Sequence, residues 1–416
     1  MALTAQTAFG PVPSKRQLAW HALHYYAFVH FGPNTFTDKE WGTGLEDPKV
    51  FAPTDLDTDQ WCQVFKEAGM SMVILTAKHH DGFCLWPSKF STHTVREAGQ
   101  PDVLKLLSAS CKKYGLKLGV YLSPWDRNHP KYGTPEYNGV FIHMLEEVLG
   151  GAFGEISEVW FDGANGEGPN GKKQVYDFAK FNQTVRKLQP NAVIFSDAGP
   201  DIRWVGNESG IAGETNWCTI DRDRYVPGTP LFAELTEGKM GGKDWVPAEC
   251  DVSIRKGWFW RASEDSTVKS PETLFDIWLK SVGRGANLLL NVPPDRRGRI
   301  ADVDIQALNG FRDLRQGFQS RQIMQARNVA PLELEFKPQT VSAVTIEEAI
   351  ARGQGVATWI LSARVNGEYK EVARGTTVGA QRIVQFTPVV ADRVLLQITG
   401  KQGRSPDVKM AAYRAE

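Results

Sequence analysis

Short apolar runs that end abruptly in polar residues recur along the first three quarters of the chain. Each is followed by a longer stretch whose apolar positions fall three and four apart. "YYAFVHFGPN" (25–34), "MVILTAKHHDGF" (72–83), "LKLGVYLSPWDRN" (116–128) and "EVWFDGANG" (158–166) open the series. "AVIFSDAGPD" (192–201), "GIAGETNW" (210–217), "WVPAECDVSI" (245–254) and "GANLLLNVPPD" (285–295) complete it. Between them, "TDQWCQVFKEAGM" (58–70), "PDVLKLLSASCKKYG" (101–115), "YDFAKFNQTVRKLQP" (176–190) and "PETLFDIWLKSVGRG" (271–285) carry the helical period. Alternating strands and helices predict a parallel sheet covered by helices. Eight strands within about 290 residues fit a (β/α)8 TIM barrel, a fold of about 250 residues. The competing open, doubly wound sheet lacks its usual marks: no G-x-G-x-x-G opens a helix after the first strand, and there is no P-loop.

The pattern changes after residue 325. "VSAVTIEEAI", "GVATWILSARVNG", "YKEVARGTTVG" and "RIVQFTPVVADRVLLQITG" are β-rich runs cut by Gly, Asn and Pro turns. They predict a C-terminal antiparallel β-sandwich over 326–416, behind a barrel over 1–325. No linker, repeat or low-complexity segment separates the two, so they are expected to pack against each other.

Barrel chemistry gathers at the C-terminal ends of the strands. Here those ends carry His30, His79, His80, Asp81, Trp125, Asp126, Asp162, Asp197, Glu214 and Glu249, and the loops add Glu40, Trp41, Glu208, Trp258 and Trp260. Asp162 has two readings: a carboxylate aimed into the barrel mouth from a rigid strand end, or the N-cap of a following helix. Adjacent residues on a strand point to opposite faces, so His79 and His80 are not expected to chelate one ion together. There is no HExxH, and a metal site from His30, His80 and carboxylates would lack the close ligand spacing usual for zinc. No metal and no cofactor is therefore predicted.

Lys+Arg and Asp+Glu balance at 48 each in 416 residues, so no overall field recruits nucleic acid or an anionic membrane. No run approaches the roughly 18 apolar residues of a membrane span. The start, "MALTAQTAFGPVPSKRQLAW", lacks the basic-then-apolar pattern of a signal peptide. A periplasmic or secreted destination would thus require a leader removed before this start, and a cytoplasmic one would not. The five cysteines are far apart, with no CxxC spacing, and read as free, mostly buried thiols. The sequence carries no signal for an oligomeric state. The unusual count is 13 Trp, several beside polar clusters (Trp41, Trp125, Trp217, Trp258, Trp260). Flat aromatic faces suit the C–H faces of sugars, and two carboxyl groups flanking a scissile bond suit glycoside hydrolysis.

Five stretches, in this order, resemble the α-L-fucosidases of glycoside hydrolase family 29: "HFGPNTFTDKEWGTG" (30–44), "LTAKHHDGFCLWPSKFS" (75–91), "VWFDGANG" (159–166), "GNESGIAGETNW" (206–217) and "VPAECDVSIRKGWFW" (246–260). The resemblance covers roughly residues 15–325, and the tail matches the sandwich those enzymes carry. It implies hydrolysis of α-L-fucosides with retention, by double displacement through a covalent fucosyl-enzyme on an Asp that falls on Asp162. It also implies a fucose site at His30, His79, His80, Glu40 and Trp41, with an aromatic contact from Trp258 or Trp260. The proton donor of the branch acting on α-1,3/1,4-linked fucose is a Glu in the loop after the fifth strand, matching Glu208. Glu214, expected on a strand, is its rival, and the plainer reading of either Glu is a carboxylate paired with Arg203 or Arg255. "GPNTFTDKEWGTG" and "AECDVSIRKGWFW" look like that branch, whose members act on Lewis-type oligosaccharides or glycoconjugates. A broad-specificity α-fucosidase, an α-galactosidase-like barrel and a non-hydrolytic sugar-binding barrel are the alternatives.

Overall fold

A computed structural model describes residues 10–228, 232–403 and 406–415. Eight parallel strands close into a barrel: β1 (Tyr25–Val29), β2 (Met72–Lys78), β3 (Lys117–Leu122), β4 (Ile156–Phe161), β5 (Val193–Ser196), β6 (Ile202–Trp204), β7 (Ala248–Ser253) and β8 (Asn287–Asn291). Strand β1 pairs with β2 through Ala27–Val73 and with β8 through Tyr25–Leu288, which seals the ring. The strands read as nearly unbroken apolar runs because both faces are buried. One face packs on the helices. The other fills the barrel with Tyr26, Phe28, Ile74, Tyr121, Trp160, Phe195, Ile202 and Leu289, and Trp20 belongs to the same cluster.

The helices begin where the sequence offers a cap. Asp57, Asp102, Asp177 and Ser270 each accept a hydrogen bond from the backbone N–H three residues on. Two further helices, Tyr137–Leu149 and Asp302–Ser320, belong to the outer layer. All five cysteines are free and buried. No helix among the described residues is long and apolar enough to cross a membrane.

One expected strand is absent. "GIAGETNW" (210–217) has no regular secondary structure, and the sixth strand is the three-residue "IRW" of β6. The apolar character of 210–217 comes from burial over the outside of β6. Arg203 of β6 is fully buried and donates to Asn216 Oδ1 and to the carbonyls of Trp217, Leu235 and Val246. A strand so short shows no periodicity.

The tail is antiparallel: β9 (Gln322–Val329), β10 (Leu332–Glu348), β11 (Val356–Val365), β12 (Glu368–Thr376), β13 (Arg382–Lys401) and β14 (Asp407–Arg414), in spatial order β9-β14-β10-β13-β11-β12. These form one hydrogen-bonded sheet. Register shifts near Glu335–Gln339 and Val341–Ala343 interrupt the long β10–β13 ladder, and one apolar core gathers Leu334, Ile346, Trp359, Leu396 and Met410.

The lower barrel holds two buried carboxyl groups. Glu158 and Glu249 bond each other, Trp20 Nε1 donates to Glu158 at 3.2 Å, and Trp160 Nε1 (2.7 Å) and the Tyr26 hydroxyl donate to Glu249. Glu249 thus lies at the start of β7 and not at its end, where the sequence pattern placed it. Burial, then the neighbouring Glu249 charge, raises the Glu158 pKa well above the carboxylate range, so Glu158 holds the shared proton. A carboxyl whose pKa is higher folded than unfolded stabilises fully below the unfolded value, about 4.5, and loses that contribution as pH climbs toward the folded value. The unfolding midpoint should therefore fall as pH rises from about 5 to 8. Glu158→Gln keeps a donor toward Glu249 without the ionisation, and its midpoint should fall less steeply. Parallel pH curves for the two proteins would show that the pair does not titrate with folding.

Candidate active site

Period-2 alternation places Phe28 and His30, Trp160 and Asp162, and Asp251 and Ser253 on the inner face of their strands, rising toward the mouth. Asn291, at the end of β8, fixes His30. Its Nδ2 donates to the Trp258 carbonyl (2.8 Å) and Ser253 Oγ (2.9 Å), so its Oδ1 is the acceptor for His30 Nδ1 at 2.8 Å. His30 then carries its proton on Nδ1 and presents a bare Nε2. Burial pushes its pKa down to about 3, which keeps the ring neutral.

Strand β2 stops at Lys78, so His79 and His80 escape the alternation that would send them to opposite faces. Their ring centroids are 4.2 Å apart and both line one cavity. The Ser123 hydroxyl donates to the Trp125 carbonyl (3.0 Å), which makes it the acceptor for His80 Nδ1 at 2.7 Å. His80 Nε2 faces Asp162 Oδ2 at 3.8 Å. Burial lowers the His80 pKa to about 4, against the pull of the Asp162 charge. His79 stacks on Tyr121 and meets Phe259 edge-on. Among the described residues no group of three or more His, Cys, Asp or Glu is arranged to hold a metal ion.

Asp162 follows β4 directly. Its Oδ1 accepts from the Ala164 N–H (2.8 Å) and its Oδ2 from the Tyr121 hydroxyl (2.9 Å). The next helix begins at Phe178 and is capped by Asp177, so Asp162 caps no helix. Its side chain is one quarter exposed, open to whatever enters the mouth. Buried Asp126, by contrast, serves the scaffold. Burial alone would raise its pKa, but the Lys78 charge at 3.3 Å and the N–H groups of His129 and Asn128 hold it below the usual carboxylate value.

Two cavities meet at Asp162. The smaller, about 150 Å³, is lined by the three histidines, Phe28, Tyr121, Trp41 and Trp258. The larger, about 540 Å³, opens beside it between Asn165, Lys173, Asp197, Trp204 and the Pro227–Gly228 turn. Both share Trp160, Asp162, Ala164, Glu208 and Asp251. Glu208 stands exposed at the rim, with Trp258 Nε1 3.4 Å from its Oε2. The surrounding walls nevertheless raise its pKa, and the Asp162 and Glu40 charges add to the effect. Asp251 accepts from Trp204 Nε1 (2.8 Å), and burial followed by the Glu208 charge raises its pKa well above the carboxylate range. Asp197 is raised to about 6, mainly by burial, while accepting from the Gly228 N–H at 2.5 Å.

The candidates from sequence divide accordingly. His30, His79, His80, Trp41, Trp258, Asp162 and Glu208 line the cavities. Glu208 follows β6, so with the short strand counted its loop is the sixth. Trp125 stands one layer back, packing on His80 and Trp41 while its Nε1 donates to the Glu167 carbonyl. Glu40 also acts from behind: its two oxygens accept from the Trp258 N–H (2.5 Å) and from Arg261 (2.6 Å), which fixes the loop bearing Trp258. Trp260 turns away to pack beside Arg255. Glu214 is not at the site. It lies on the irregular segment, its side chain 82% exposed and 3.5 Å from Arg284, and pairs with neither Arg203 nor Arg255. Sequence reasoning missed Tyr121, Phe259, Trp204, Asn291 and Asp251. Asp251 was within reach, two residues along the same strand face as Glu249.

The profile of the family described as Alpha-L-fucosidase matches residues 13–313. The chain belongs to this family. It is 42% identical to alpha-L-fucosidase 1 of Arabidopsis thaliana, over 95% of this chain and 86% of that one. A crystal structure of a glycoside hydrolase 29 family member from an unknown rumen bacterium superposes with a TM-score of 0.92 at 38% identity, covering 98% of this chain and 78% of that one. The solved structure of a Ruminococcus gnavus GH29 fucosidase in complex with fucose gives 0.87 at 28%, covering 100% and 97%. The enzyme is thus a glycoside hydrolase acting as an α-L-fucosidase.

Proposed function

We propose that the enzyme is a retaining α-L-fucosidase in which Asp162 is the nucleophile and Glu208 the general acid and base. The observation that carries the reading is the meeting of the two cavities at these carboxylates. The smaller has room for one sugar ring, with neutral histidines as hydroxyl acceptors and Trp258 and Phe28 as apolar walls. The larger suits a leaving group of more than one sugar. In the first step Asp162 attacks the anomeric carbon while protonated Glu208 gives its proton to the departing oxygen. Water, deprotonated by Glu208, then releases fucose with its original configuration. Tyr121, donating to Asp162, is placed to aim the nucleophile.

The size of the leaving-group cavity, with Trp204 on its wall, supports the narrower reading of α-1,3/1,4-linked fucose on Lewis-type branches. Contacts to a second and third sugar speed the reaction only if they are realised in the transition state. Lewis a or Lewis x trisaccharide should then exceed α-1,2-fucosyl-galactose in kcat/KM by about 100-fold, or ~2.7 kcal/mol of transition-state contact. Comparable rates on both would assign the broad specificity instead.

A further inference from the structure

Between Ala212 and Cys218 the chain makes no strand or helix, yet Ala212, Asn216, Trp217 and Cys218 are buried and the backbone polar groups there need partners. The C-terminal region supplies them, from strand ends and from the loops just before β11 and just after β12. Gln354 spans two peptides, donating from Nε2 to the Asn216 carbonyl (3.0 Å) and accepting at Oε1 from the Cys218 N–H (2.6 Å). The Thr377 hydroxyl accepts from the Asn216 N–H at 3.0 Å. Thr376 and Arg382 donate to the Glu214 carbonyl at 3.2 and 2.7 Å, and the Thr215 and Thr376 hydroxyls are 2.8 Å apart. From the barrel side, Ala212 bonds the Lys280 carbonyl and Arg284.

This gripped segment lies between two walls of the leaving-group cavity. Upstream, six residues before Glu214, is Glu208, on a turn closed by Asn207 and tied to β7 through Ser209 and Val252. Downstream, a short ribbon (Thr219–Ile220 with Asp244–Trp245) leads into the excursion bearing Pro227 and Gly228. A small displacement of a group at the reacting centre costs rate steeply.

We propose that the C-terminal sheet is a working part of the active site, Gln354 and Thr377 being positioning residues that hold the segment carrying Glu208 at the leaving-group oxygen. The proposal rests on the reading of Glu208 as the acid. The sheet touches no substrate. It fixes how closely the donor approaches the departing oxygen, so its loss appears where protonation limits the rate.

The test compares phenyl α-L-fucoside, a poor leaving group, with α-L-fucosyl fluoride, which departs without an acid. In the full-length protein, Gln354→Ala should lower kcat/KM on the phenyl fucoside by about 10-fold or more and on the fluoride by less than about 3-fold. Thr377→Ala should act in the same direction, with Thr377→Ser restoring the parent rate, a milder pair if Gln354→Ala does not fold. In a Glu208→Gln background, Gln354→Ala should add nothing on the phenyl substrate, because the group it positions has already lost its proton. Equal losses on both substrates in folded variants, or no loss, would overturn the proposal. If Glu208→Gln itself lacks the leaving-group signature, the assignment of the acid fails and the positioning role falls with it. If Glu208→Gln shows it and Gln354→Ala does not, only the role of the sheet is refuted.

Discussion

Asp162→Asn should leave a folded enzyme with almost no turnover. The side chain is nearly isosteric, and an amide retains an oxygen for the Ala164 N–H and offers its NH2 to the Tyr121 hydroxyl, so the local hydrogen bonds survive. On the proposed double displacement the covalent route is lost, and the fall in kcat should be on the order of 10⁴ or more. Asp162→Ala goes further, vacating room beside the anomeric carbon in a cavity already open to the mouth. Azide can then attack that carbon directly and expel an activated leaving group in a single displacement. The product should be β-L-fucosyl azide, inverted relative to the substrate, whereas the parent enzyme, if it acts by the proposed double displacement, should release α-L-fucose first. Both outcomes are read by NMR of the initial product. Activity within tenfold of the parent, or rescue without inversion, would assign the nucleophile elsewhere.

How far this site was legible in the sequence depends on how each residue reaches it. His30, Asp162 and the His79–His80 pair come from strand ends, where a break from apolar to polar marks the mouth of a barrel. Their positions could be read from the pattern, although not the turn after Lys78 that brings both histidine rings to one cavity. Phe28, Tyr121 and Trp160 were hidden because an inward aromatic on a buried strand looks like any core residue. Trp204 lies on a three-residue strand too short to show in the pattern, and Asp251 lies beyond Glu249, which the sequence pattern places at the end of its strand. Glu214 shows the opposite failure. An apolar stretch ending in Glu and Trp imitates a strand, but the burial behind it comes from β6 and from a sheet more than a hundred residues later in the chain. No local period records such a contact. Glu40 and Trp125 are intermediate: placed at the right end of the barrel, they support Trp258 and His80 from behind the cavity wall.

Removing the Glu208 carboxyl should divide substrates by leaving group. A general acid matters most where the departing oxygen is a strong base, and general acids typically contribute about 10²–10⁴-fold. Glu208→Ala should therefore slow a Lewis trisaccharide by about 10³-fold while sparing a dinitrophenyl fucoside or the fluoride in the first, fucosylation step. Such substrates then accumulate the fucosyl-enzyme, because the same residue is missing as the base for hydrolysis, and a pre-steady-state burst should appear. The pH profile gives an independent reading. The donor acts only when protonated, and its pKa is raised by its surroundings and by the Asp162 and Glu40 charges. The parent rate should fall on the basic limb as Glu208 ionises, and that limb should flatten in Glu208→Ala. The acid limb should remain. His30 and His80 do not create either limb near neutrality, since burial already holds both rings neutral. Asp251 is the internal control: buried against Trp204 and sharing both cavities with Glu208, it is a further carboxyl on their walls that could substitute. A burst and a flattened basic limb in Asp251→Asn, with neither in Glu208→Ala, would transfer the acid's role to Asp251.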